Sequence, residues 1–253
     1  MSTKKQIENK PYYNMISNNP VIITGGGQRL GLATALELNK RGYKVVITYR
    51  KDRPLLSELE EQGITCVAAD FSTDSGIKTF INEVQQRFSV LRAIIHNAST
   101  WSRDPKPYDT DEGAAVLDAM MQVHVKAPLL INKALAKMLE DNGDILHISD
   151  QVATIGSFKH MAYAASKAAI ENLTMSFARG LAPRIKVNAI APALITFNDW
   201  DDAEYRKKAL QKSLLGVEPG EQCFTDTVLY LLQTNYVTGR VLPLDGGRHL
   251  KLP

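Results

Sequence analysis

Cysteine is almost missing from this chain: its 253 residues hold two, Cys66 and Cys223. Neither has a CxxC partner or a neighbouring histidine. That excludes a disulfide framework, argues against a zinc site or any other metal, and points to a reducing, cytoplasmic setting. Long hydrophobic runs are missing as well. The longest are strand-sized, so no membrane span is expected. Charge of one sign is scarce: 30 basic residues against 27 acidic leave a net charge of +3, too little to hold a nucleic acid by its phosphates. The opening stretch "MSTKKQIENKPYYNMISNNP" carries Lys4, Lys5 and Lys10 but no apolar core. It is no secretory signal, and residues 1–19 read as a polar, partly disordered extension. Repeats, low-complexity segments and a second composition regime are absent too. Residues 20–253 therefore read as one domain, near the upper size for a single core.

What the chain does have is alternation. From Pro20 onward, β-branched runs ("PVIITGG", "YKVVITYR", "ITCVAADF", "LRAIIHNA", "GDILHIS", "RIKVNAIAP", "RVLPLDGG") alternate with helical patterns. The helices are expected over Leu30–Arg41, Pro54–Gln62, Asp74–Phe88, Glu112–Leu139, Tyr163–Leu181 and Gln222–Thr234. Near-continuous apolar strands suit a parallel sheet covered on both faces. The order predicts an α/β fold: a single-domain, Rossmann-like, doubly wound parallel sheet of about seven strands with helices on both faces. Two connections are long, Ser99–Asp111 and Leu194–Leu215, the second entered through "NDWDDAE". At the carboxyl ends of strands, such segments serve as substrate lids.

The first strand ends in "TGGGQRLG", Thr24 to Gly31. Glycines there let backbone N–H groups approach a diphosphate at a helix N-terminus. Arg29, a cation in a first helical turn, opposes the helix dipole unless an anion sits beside it. The alternative is a solvated surface arginine. The second strand ends in "ITYRKDRP" (Ile47–Pro54). An NAD site places an acid about 20 residues past the glycines for the ribose hydroxyl. Here Tyr49 and Arg50 stand at the tip, with Lys51 next, a pattern that favours a 2′-phosphate and hence NADPH. A solvated basic turn is the other reading. Further on, Tyr163 and Lys167 fall one helical turn apart. A phenol of pKa about 10 is a poor proton carrier at neutral pH, and a nearby cation lowers it.

With "TGGGQRLG", "HNAS" (His96–Ser99), "YAASK" (Tyr163–Lys167) and "IAPALIT" (Ile190–Thr196) in this order, the chain resembles the short-chain dehydrogenase/reductase family from roughly Pro20 to Arg248. The resemblance implies NADPH held by Gly25, Gln28, Arg29 and Leu30 at the diphosphate and by Tyr49 and Arg50 at the ribose phosphate. Asp70 and Phe71 would lie at the adenine, and Asn97, Ala98 and Ser99 at the inner ribose. Pro192, Leu194, Ile195 and Thr196 would hold the carboxamide. Tyr163 would lie beside the cofactor, and Lys167 would bind its ribose while tuning Tyr163. A homotetramer is implied, its subunits paired through the helices 112–139 and 163–181.

Three positions depart from the family pattern: Asp150 where serine is usual, Arg29 where glycine is usual, and His124 in "QVHVKAP" where asparagine is usual. His124 either replaces that asparagine or is a hydrogen-bonded core histidine. Asp150 and Arg29 together resemble the pteridine reductase branch, which shares "TGxxxRxG", an Asp-Tyr-Lys trio and an aromatic residue after "NAS". Trp101 stands in that place; otherwise it is a loop aromatic packed on the core. The implied catalytic residues are Asp150, Tyr163 and Lys167. The implied substrate contacts are Arg29, Ser99, Trp101, Asp150 and Tyr163, with a pterin stacked between Trp101 and the nicotinamide. The implied reaction is NADPH-dependent reduction of a 7,8-dihydropterin to the tetrahydropterin, hydride going to C6 and a proton to N5. An acid at position 150 suits a substrate with ring N–H groups, whereas a carbonyl substrate needs a donor there. Asp150 also suits a plain strand-to-loop cap. Dihydromonapterin, dihydrobiopterin and dihydrofolate would be told apart by the lid around Phe197–Leu215. A short-chain carbonyl reductase acting on 3-oxoacyl thioesters and a non-catalytic NADPH sensor are the competing readings.

Overall fold

The computed structural model describes residues 17–105 and 109–251. The extension with Lys4, Lys5 and Lys10, apart from its last three residues, lies outside the described residues, as does the middle of the 99–111 connection. Among the described residues, seven strands form one sheet in the order β3-β2-β1-β4-β5-β6-β7. They are β1 (Val21–Ile23), β2 (Val45–Tyr49), β3 (Thr65–Ala68), β4 (Leu91–His96), β5 (Leu139–Ile148), β6 (Ile185–Pro192) and β7 (Val241–Leu244). Every pairing is parallel. The helices are α1 (Arg29–Lys40), α2 (Leu55–Glu61), α3 (Asp74–Arg87), α4 (Thr110–Met121), α5 (Ala127–Leu135), α6 (Val152–Ile155), α7 (Met161–Leu181), α8 (Ala203–Leu210) and α9 (Glu221–Gln233).

Strand alternation divides the core between two faces. Val21 and Ile23 join a cluster with Leu38, Phe224 and Val228, under α1 and α9. Ile22, between them, joins Ile77, Phe80, Ile131 and Leu135, under α3 and α5. Both faces of β4 and β6 are fully buried, the condition that produced the unbroken apolar runs. The strand order reverses at β1, where β2 lies on one side and β4 on the other. The carboxyl ends of those strands therefore splay around a crevice.

Three features correct the expected elements. The helix expected to reach Leu139 is interrupted by a π-helical turn, Gln122–Lys126, and ends in a 3-10 turn, Ala136–Met138. Leu139 instead opens β5, paired with Leu91 before the register shifts. Asn142, left-handed at φ 64°, lies between that first pairing and the main run of the strand. The connection after β6 contains α8, whose N-cap Asp202 accepts a hydrogen bond from the Tyr205 N–H at 2.7 Å. Finally, the helical residues 110–138 are long and apolar enough by composition to cross a membrane, which strand-sized runs did not suggest. They pack instead on α3 and α7, with Leu117 left exposed.

Near the amino ends of β4 and β6, level with the middle of β5, lies a buried ionic group. Asp144 accepts from Arg92 at 2.6 Å and from Lys186. Arg92 also donates to the Leu232 carbonyl at 2.7 Å, tying α9 to the sheet.

Candidate active site

The crevice at the carboxyl ends is a cleft of about 640 Å³, and every cofactor, substrate and catalytic residue singled out in the sequence lines it. Its floor is the turn after β1. Gly25 is left-handed at φ 65°, and its N–H donates to Thr48 Oγ1 at 2.9 Å. A Cβ at Gly31 would collide with the Asn97 amide and the Gly25 carbonyl, so only glycine lets α1 approach β4. Asn97 holds the turn from the other side, its amide donating to the Thr24 and Gly25 carbonyls at 3.0 Å each. Thr24 was not foreseen; its hydroxyl accepts from the Asn97 and Ala98 N–H groups. A threonine closing a strand carries no local signal of that role.

α3, α4 and α8 are capped by Thr73, Asp109 and Asp202, whereas α1 is among the helices with no side-chain cap, and its first turn holds no acid. Its leading N–H groups and the helix dipole face the cleft and suit an anion. Arg29 sits there at φ 49°, a left-handed position that costs a non-glycine residue strain. That explains why glycine suits the position. Beyond it, Arg53 donates to Gln28 Oε1 at 2.8 Å, and Arg50 and Lys51 complete a basic wall. An uncapped helix start beside three cations fits a diphosphate with an additional phosphate. Asp70 is turned into its own loop: it accepts from the Ser72 N–H and hydroxyl, which hold its carboxyl below the usual range. Phe71 is buried edge-on against Phe80, with centroids 5.3 Å apart.

The chemical end lies past β5. Asp150 uses its two oxygens separately: one accepts from the Val152 N–H at 2.9 Å, the other from the Tyr163 hydroxyl at 3.0 Å. The turn-capping reading and the site reading thus each describe one oxygen. Lys167, one turn along α7 from Tyr163, donates to the Ile148 carbonyl at 2.9 Å and lies 5.5 Å from the Tyr163 ring centre. The expected lowering of the Tyr163 pKa is corrected. Burial and the Asp150 carboxylate push that phenol above its usual value, outweighing the opposing effect of the nearby Ser99 hydroxyl. Burial also draws Lys167 down to about 8, against the opposing pull of Asp150.

His124 stands on the π-helical turn behind Ser99. It is bonded to Ser99 Oγ at 2.9 Å, to the Thr100 N–H at 3.2 Å and to Ser166 Oγ at 2.8 Å. It is therefore a hydrogen-bonded core histidine that also reaches a residue of the cleft. Trp101 is not packed on the core: it is 69% exposed at the rim, edge-on to His160. The lid is ordered by Glu218, which accepts from the Phe197 N–H at 2.7 Å, and by Arg206, 5.0 Å over the Phe197 ring. Asn198, Asp201 and Tyr205 line the cleft from that side; sequence reading placed them only within a connection.

Comparison with known proteins follows the same lines. Residues 19–207 match the family described as short chain dehydrogenase. The dihydromonapterin reductase of Escherichia coli O6:K15:H31 (strain 536) is 51% identical over 237 residues, covering 92% of this chain and 97% of that protein. The dihydromonapterin reductase of Enterobacter sp. (strain 638) is 51% identical over 235 residues, covering 91% and 97%. Among solved structures, the Brucella canis FolM alternative dihydrofolate reductase 1, complexed with NADP, superposes with a TM-score of 0.84. It is 29% identical over 94% of this chain and 97% of that one.

Proposed function

Since the chain belongs to the short-chain dehydrogenase family, we propose that it reduces a 7,8-dihydropterin to the tetrahydropterin with NADPH. The observation that carries this reading is the carboxylate of Asp150 on the Tyr163 hydroxyl at 3.0 Å. A ketone or thioester carbonyl needs a donor at that point, and an acceptor there repels its developing oxyanion. A pterin presents N–H groups to it. The relatives at 51% identity are dihydromonapterin reductases, which supports the same substrate class.

When bound, NADPH supplies the hydride. The start of α1 with Arg29 holds its diphosphate, Arg50 with Lys51 and Arg53 holds the 2′-phosphate, and Lys167 meets the inner ribose. Asp70, Phe71 and the 192–196 segment flank its two ends. Tyr163 holds the proton destined for N5, since its raised pKa keeps it a neutral phenol. The Lys167 ammonium is the cation nearest its ring. Trp101 covers the exposed face of the pterin, and Arg29 and Ser99 meet its edge. Further copies of the chain cover the exposed Leu117 of α4 and Met175 of α7 in a homotetramer, which native mass measurement reads.

Steady-state turnover of dihydromonapterin, dihydrobiopterin and dihydrofolate with NADPH tests the reading. All three should be reduced, with side-chain preference set by the lid. Turnover of an acetoacetyl thioester with none of any dihydropterin would refute it.

A further inference from the structure

His124 is 3% exposed and its two ring nitrogens bond in opposite senses. The Thr100 backbone N–H can only donate, and it points at Nε2 from 3.2 Å. On the other side, Ser166 has given its single proton to the Tyr163 carbonyl at 2.7 Å, so it accepts from Nδ1 at 2.8 Å. The two neighbours fix one tautomer: proton on Nδ1, lone pair on Nε2. Burial, with the Lys167 ammonium adding to it, pushes His124 down to about 3, so the ring is neutral throughout the working range. Ser99 Oγ lies 2.9 Å from that lone pair. Ser99 also reaches the Tyr163 hydroxyl, but Nε2, which the Thr100 N–H shares, is the acceptor at 2.9 Å and takes the single Ser99 proton.

We propose that His124 is a positioning residue that fixes Ser99 as a hydrogen-bond acceptor toward the cleft, selecting a substrate with an N–H donor there over one with a carbonyl oxygen. The proposal rests on the pterin reading and deepens it. With the Ser99 proton turned toward His124 and both Asp150 oxygens accepting, the Tyr163 proton, held on Asp150 in the free protein, is the one that these three groups can turn to the reacting ring. A carbonyl placed against Ser99 would set lone pair against lone pair, whereas a heteroaromatic N–H completes the bond. The π-helical turn matters because it carries the ring that reaches both Ser99 and Ser166, and such turns recur at functional sites.

Two substitutions separate this role from packing. In His124→Gln the amide oxygen reaches the place of Nε2 and still accepts from Ser99. In His124→Asn the shorter amide reaches only the place of Nδ1, keeping Ser166 and leaving Ser99 free to rotate. His124→Asn should raise the dihydropterin KM, and the Kd of unreduced biopterin read by fluorescence quenching, roughly 10- to 100-fold. NADPH affinity and Tm should stay near those of the parent protein, and His124→Gln should recover most of the loss. In a Ser99→Ala background His124→Asn should add nothing, because both act through one hydroxyl. Additive effects, or Tm and NADPH binding falling in step with turnover, would overturn the proposal. The ¹⁵N shifts of His124 in the free protein read the tautomer with no substrate present. A protonated Nε2 would overturn it whatever the substrate, while a parent protein inactive on every dihydropterin would sink the pterin reading and leave the tautomer result standing.

Discussion

The two ends of the same strands hold similar groups in opposite ways. Near the amino ends, Asp144 is fully buried and met by two cations, Arg92 and Lys186, which are themselves buried. At the carboxyl end of β5, Asp150 meets a backbone N–H and a phenol instead, and the nearby Lys167 is bonded to a carbonyl. In the first group every charge is answered by the protein itself. In the second, the donors and acceptors that face the cleft are left for a ligand. Removing a member should cost stability at one end and chemistry at the other.

The largest expected effect is at the open end. Asp150→Ser should lower dihydropterin turnover by ~10²–10⁴-fold, the span for a lost acid–base group, with Tm and NADPH affinity nearly unchanged. If turnover is retained, or if it falls only in proportion to Tm, the two ends do not differ as described. Asp144→Asn should do the reverse. It leaves the buried Lys186 without a carboxylate and Arg92 with only Glu140, 3.5 Å away, costing about 3–5 kcal/mol in denaturant unfolding, while each folded molecule keeps its turnover.

A smaller effect lies at the phosphate wall. NADPH should be preferred over NADH by more than about tenfold in kcat/KM, and Arg50→Asp should narrow or reverse that ratio by repelling the 2′-phosphate, with no change in Tm. Equal use of both cofactors by the parent protein would contradict the assignment. The smallest is a pH effect. With Lys167 at about 8, the ammonium is present below that pH and lost above it, so NADPH affinity should decline as pH rises past 8. The stability term runs the other way. A folded pKa below the unfolded 10.5 means that unfolding takes up a proton between those values, so this group's contribution to stability rises with pH there. Titrating both quantities on one sample, with Lys167→Arg as the variant that stays charged, checks the opposed signs.

Much of this was legible along the chain because it rests on local rules. Strands buried on both faces must be apolar throughout, so the βα order could be read. Tyr163 and Lys167 share a helix, so their spacing alone brought them together. Asp150 stood out because an acid was set where a carbonyl reductase needs a donor. What could not be read depends on partners distant in sequence. The π-helical turn, the early start of β5 at Leu139 and the ordering of the lid by Glu218 and Arg206 have no local signature. α8 did have one, the acidic cap at Asp202, but it passed for part of the lid entry.

The sequence by itself determined the parallel α/β architecture, the glycine turn, the basic strand tip and the Tyr163–Lys167 pair, because periodicity and fixed spacing on one element act at short range; Asp150 joined that pair through the family resemblance. Only the tertiary structure decided how those groups are charged and which way their protons point. It raised the Tyr163 pKa where a neighbouring lysine suggested lowering it, divided Asp150 between a turn and a phenol, and bound His124 to Ser99 and Ser166. Desolvation and hydrogen-bond direction are set by what lies across the fold, and no local pattern of residues encodes them.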